Sequence, residues 1–157
     1  MEFNKGSEDM GYRKEWIQSE CDTLKSAIPC DFAGVALQKP EGLDVTWPYA
    51  VGNRNEKYKY ITVRYGKGIA GKVISSGSPM EINHFPEKIM GKSTDYPIML
   101  AEQLLSAYAV PLVWNTSLKG ALLIGYREKH IVTAEEKNKV NDIARKIESF
   151  LSECREG

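Results

Sequence analysis

A chain of 157 residues, 42% of them hydrophobic, has the length of one globular domain, enough to bury about two thirds of its unfolded surface in a single core. Its 21 basic and 21 acidic residues cancel, which leaves no summed field to draw it onto nucleic acid or an anionic membrane. No segment approaches about 18 uninterrupted apolar residues, and Met1 to Gly11 has no hydrophobic signal core, so the expected location is the cytoplasm.

Residues 1–11 are polar and aperiodic and read as a disordered arm, followed by a single domain over 12–154. From Tyr12 the apolar positions Ile17, Cys21, Leu24 and Ile28 recur at helical spacing until Pro29 closes the run. Residues 31–37 read as a buried strand, Lys39 to Gly42 as a turn, and 43–51 as a second strand paired back through it. Pro48 cannot donate to a ladder and so marks an edge or a bulge. Tyr58 to Arg64 alternates like a third strand; with balanced charge its lysines and tyrosines suit a solvated face better than an RNA surface.

The stretch Gly66-Lys67-Gly68-Ile69-Ala70-Gly71-Lys72-Val73 is a glycine-opened helix start, and Gly77 and Pro79 stop the helix after two turns. The first N–H groups of such a helix have no internal partner and carry partial positive charge, which suits a small anion. By itself the pattern more often marks only a turn. It lacks the Gly-Lys-Ser/Thr ending of a P-loop and the third glycine of a dinucleotide fingerprint, which disfavours both nucleotide classes. Lys67 and Lys72 are expected on the surface.

Residues 79–82 look like a short strand, and 83–95 like a long loop of the kind that serves as a lid. Tyr96 to Leu105 reads as a short helix or turn with Pro97 at its first position. Two apolar strands, 106–114 and 118–126, follow around the hairpin turn Asn115-Thr116-Ser117. Thr133-Ala134-Glu135-Glu136 is a capping box, and the helix it opens carries Val140, Ile143, Ala144, Ile147 and Leu151 on one face. The sum is an α+β architecture without a repeat.

In this order the elements resemble a GAF domain, carried by Gly66 to Val73 with Gly77-Ser78-Pro79, and by Val110-Pro111-Leu112 with Gly120 to Gly125. The resemblance covers about residues 12–151 and implies an antiparallel sheet with the N- and C-terminal helices on one face and a ligand pocket on the other. Trp47-Pro48-Tyr49-Ala50-Val51-Gly52-Asn53 and Tyr96 to Glu102 narrow the likeness to the NreA-type nitrate receptors. That likeness implies nitrate as ligand, with no other cofactor. It also implies Trp47 on the pocket wall, Ile69 and Ala70 as backbone donors, and Tyr96 and Ile98 on the lid side. The implied partner is a sensor histidine kinase of a two-component pathway for nitrate and nitrite respiration, with the first and last helices as docking or homodimer candidates.

Nitrate is flat, singly charged and weakly hydrated, so fixed donors in its plane suffice without a full countercharge. Three alternatives remain: a GAF module for another small molecule, an enzyme like the GAF-type free methionine sulfoxide reductases, and a ligand-free scaffold that only dimerises. The second is weak, because Cys21, Cys30 and Cys154 do not pair beside the expected pocket, are odd in number and lack metal-ligand spacing. His84 and His130 are expected on the surface, and no metal site or catalytic constellation is evident.

Overall fold

In a computed structural model, which describes residues 7–153, six antiparallel strands form one sheet. The strands are β1 (Phe32–Gln38), β2 (Asp44–Val51), β3 (Thr62–Arg64), β4 (Met80–Ile82), β5 (Ser106–Trp114) and β6 (Ser117–Tyr126), in the order β3-β2-β1-β6-β5-β4. The helices are α1 (Ser7–Ala27), α2 (Gly68–Ser76), α3 (Pro97–Ala101) and α4 (Ala134–Glu153). The fold is α+β, as the element order predicts.

One difference concerns the start of the domain. Helix α1 begins at Ser7, so residues 7–11 are helical and not part of an arm; residues 1–6 and Cys154 lie outside the described residues. A second difference concerns β3. Its expected span overlaps a single 3-10 turn, Lys57–Tyr60, and only Thr62–Arg64 pairs with β2. The alternation of tyrosine and lysine there reflects a turn that buries Tyr58 and exposes Tyr60.

The sheet separates two apolar clusters. On one side α1 and α4 lie together: Ile17, Cys21, Leu24 and Ile28 meet Val140, Ile143, Ala144, Ile147 and Leu151 over Val35, Tyr108, Val110, Leu122 and Ile124. The Trp16 ring stacks on Phe150 at 4.0 Å, joining the two helices near the surface. On the other side α2 and α3 cover a floor of small residues, Ala36, Ala107, Ala109 and Ala121, where larger side chains would lift the helices away.

Pro48 produces the bulge that its chemistry predicts. Pairing steps from Val35 opposite Tyr49 to Leu37 opposite Thr46, so β2 advances three residues while β1 advances two. A one-residue slip of this kind exchanges the faces of a strand. Val45 and Trp47 therefore point into the α2 side, while Tyr49 turns to the α1 side and Ala50 returns to the first. Without the bulge, Trp47 and Tyr49 would share a face.

Candidate ligand-binding site

The α2 start is shaped by two glycines. Gly68 has φ of +66°, in the left-handed region, which lets the chain turn from Lys67 directly into the helix. Gly71 lies against β3, where a Cβ would come within 2.5 Å of the Arg64 carbonyl oxygen. The loop closes on itself through Gly66 N–H to the Gly71 carbonyl, 2.9 Å, and Lys67 N–H to the Arg64 carbonyl, 2.8 Å. No side chain caps the helix, and the N–H groups of Ile69 and Ala70 find no acceptor among the described residues. Both residues are buried, so these are desolvated donors of the kind that favours an anion.

Ile69 and Ala70 themselves belong to the lining of a small, partly enclosed cavity, with Trp47, Val63, Gly68, Pro97 and Ile98. The centre of a water-sized sphere has about 10 Å³ to move in, room for a single small body. Four of the five residues singled out from the sequence, Trp47, Ile69, Ala70 and Ile98, thus meet around one space although they come from β2, α2 and α3. Tyr96 does not line it. Its ring is fully buried, edge-on to Phe85 at 6.2 Å, and its hydroxyl donates to the Met90 carbonyl at 2.8 Å.

Val63, Gly68 and Pro97 complete the lining. Gly68 and Pro97 lie inside the quoted motifs, whereas Val63 is one apolar residue in an edge strand and carried no signal of its own. Lys67 is exposed as expected. Lys72 is not: half-buried, it donates to the Tyr96 hydroxyl at 3.2 Å and lies 5.0 Å from the centre of that ring.

Helix α3 is shorter than the span read from the sequence: Gln103, at φ of +55°, turns the chain out of it, and a buried charge sits at its end. Glu102 is fully buried; its Oε1 accepts from Arg54 N–H at 2.8 Å and from Arg127 Nη2 at 2.6 Å. Arg127 also donates to the carbonyls of Glu102 and Gly52, and Arg54 to that of Ala101. This network ties the lid-side helix to the turn after β2 and to the end of β6.

No family model matches the chain, and no curated protein matches it. Solved structures do. An NreA protein of Staphylococcus aureus mutated in its nitrate-binding site is 31% identical, over 76% of this chain and 88% of that one, with a TM-score of 0.70. The chain is a GAF-domain protein of the NreA family.

More distant GAF structures share the fold alone. The GAF domain of a phosphoenolpyruvate-protein phosphotransferase from Coxiella burnetii has a TM-score of 0.76 at 19% identity, covering 89% of this chain and 82% of that one. A free methionine-R-sulfoxide reductase from Thermoplasma acidophilum has 0.71 at 16%, covering 92% and 96%. In this NreA-family chain Cys21 and Cys30 are buried in the α1–α4 cluster, across the sheet from the cavity. Burial pushes both thiols up to about 12, with the Asp22 charge adding to it at Cys21 and Lys25 partly opposing it at Cys30. Neither is a nucleophile at neutral pH.

Among the described residues no group of His, Cys, Asp and Glu has the arrangement to hold a metal ion, and no helix is long and apolar enough to cross a membrane. His130 departs from its expected surface position. It stacks on Tyr126 at 4.1 Å and sits 2.8 Å from Glu136 Oε1, within the capping network of α4.

Proposed function

We propose that this GAF-domain protein is a cytoplasmic nitrate sensor. One observation carries the proposal: the unpartnered N–H groups of Ile69 and Ala70 adjoin a cavity walled by Trp47, Pro97 and Ile98. Such a chamber offers fixed donors and apolar walls with no cationic side chain among its lining residues. A weakly hydrated monoanion suits it, whereas phosphate or sulfate would bring more charge than two amides offset. A cyclic nucleotide is too large for a space that admits about one water-sized body. The walls must give slightly to take in nitrate, and residues 83–95, which reach the lining where the Asp95 carbonyl lies beside Gly68, move with them, so occupancy and loop position are linked.

The liganded form is proposed to act through a sensor histidine kinase that controls nitrate and nitrite respiration, by analogy with the NreA-type receptors. The paired helices α1 and α4 are its candidate docking or dimer face. Thermal melts with nitrate, nitrite, chloride, sulfate, phosphate and cyclic nucleotides test the ligand. At about one hundred times its dissociation constant, the true ligand stabilises the fold by roughly 2.7 kcal/mol. Stabilisation by a cyclic nucleotide and not by nitrate would overturn the proposal.

A further inference from the structure

Lys72, like Tyr96, lies near the site in a place that departs from what its sequence position suggests. It follows the donors Ile69 and Ala70 on α2, yet its ammonium turns toward Tyr96 and not to open solvent. The directions of the two hydrogen bonds at that tyrosine are fixed by chemistry. An ammonium only donates, so the phenol oxygen accepts from Lys72; a carbonyl only accepts, so the single phenol proton goes to Met90. The ring is held a second time by the charge lying over its face, 5.0 Å from the centroid.

Met90 lies at the tip of the loop that the sequence suggested as a lid, and the residue is 77% exposed. Burial of its side chain therefore does little to hold the tip down. The base of the loop is secured separately, by the buried Phe85 and its N–H bond to the Leu105 carbonyl at 3.0 Å. Beside the partly buried Ile89, the Tyr96 hydroxyl adds a directed tether to the tip, and the Lys72 ammonium holds the hydroxyl. With its proton committed to Met90, the phenol has none to offer a ligand, which agrees with its absence from the cavity lining.

We propose that Lys72 is a positioning residue for the anion site: it locks Tyr96 in the pose that latches residues 83–95 shut, and so sets how slowly a bound anion leaves. That the captured anion is nitrate rests on the function proposed above; the latch does not. Full-length Lys72→Met, Lys72→Arg, Tyr96→Phe and the Lys72→Met/Tyr96→Phe double variant test it. Nitrate dissociation is followed by stopped-flow tryptophan fluorescence, and amide hydrogen exchange across 83–95 is followed without ligand. Loss of a charge-assisted hydrogen bond predicts about tenfold faster dissociation and about tenfold faster lid exchange in Lys72→Met. Lys72→Arg stays near wild type, and the double variant is no faster than Tyr96→Phe alone. Unchanged rates in Lys72→Met, no rescue by arginine, or additive effects in the double variant would each overturn the latch. Wild-type protein that fails to bind nitrate would remove the proposed ligand, and the exchange measurement would still decide the latch.

Discussion

Arg127 closes a 2.6 Å ion pair on Glu102 although the two residues lie 25 positions apart, one beyond the end of β6 and the other at the end of α3. The carboxylate has no solvent exposure and its Oε2 has no hydrogen-bond partner among the described residues. Such a pair stabilises the fold little against an apolar substitute, but either partner left alone is costly.

Arg127→Met should therefore destabilise the fold by about 3–5 kcal/mol, because it strands a buried carboxylate. Replacing both residues, as Glu102→Leu with Arg127→Met, should recover most of that loss. Urea unfolding midpoints at constant m-value report it. A single variant within about 1 kcal/mol of wild type would show that water already screens the pair. Because Glu102 ends α3, Arg127→Met should also weaken ligand binding without touching the cavity.

Trp47 is almost wholly buried and forms one wall of the cavity. Trp47→Ala should cost about 3–5 kcal/mol through the enlarged void, so its effect on binding would be mixed with partial unfolding. Trp47→Phe separates the two. It keeps an aromatic wall and the fold, and it should still weaken nitrate by about tenfold as area and the indole N–H are lost. Calorimetric titration on protein shown to be folded by its melting transition decides it; equal affinity would take Trp47 out of the site.

The face choice at Trp47 also shows what the sequence could carry. Proline chemistry at position 48 gives a bulge or an edge, and the register shift is the bulge, so this feature was legible from one residue. The glycine-opened helix was equally legible, because its cause is local backbone geometry. Lys72 and Glu102 were not. Both depend on partners 24 and 25 positions away, and a charged residue between apolar neighbours looks the same in sequence whether it faces water or an ion partner. The 3-10 turn at Lys57–Tyr60 was hidden differently: a period of two over so few residues does not separate strand from tight turn.

Cys21 and Cys30 should resist a thiol reagent. In a chain with Cys154→Ser, aromatic-disulfide labelling at pH 8 should proceed only at the rate of unfolding, since both thiols are buried and titrate near 12. Rapid labelling of either in folded protein, together with turnover of free methionine sulfoxide, would restore the enzyme alternative.

Acid should find the fold's weak point at the start of α4. Glu136 Oε1 sits near Tyr126 Oη at 3.1 Å, Thr133 N at 3.0 Å and His130 Nε2 at 2.8 Å, and the Thr133 hydroxyl accepts the Glu136 N–H in return. Burial pushes the carboxyl upward, but the bonds from His130, Thr133 and Tyr126 outweigh it and leave it below its ordinary value of 4.5. A carboxyl lowered on folding stabilises the protein at pH values above its unfolded range, and that contribution fades as pH falls through the folded value. Glu136→Gln should thus cost about 1–2 kcal/mol at pH 7, the scale of a lost cap with charge-assisted bonds. The gap between variant and wild type should narrow steadily below pH 4.5 as the wild-type carboxyl takes up its proton. Unfolding free energies measured from pH 7 to pH 3 report the gap directly; a constant difference across that range would mean that the network contributes packing and not charge.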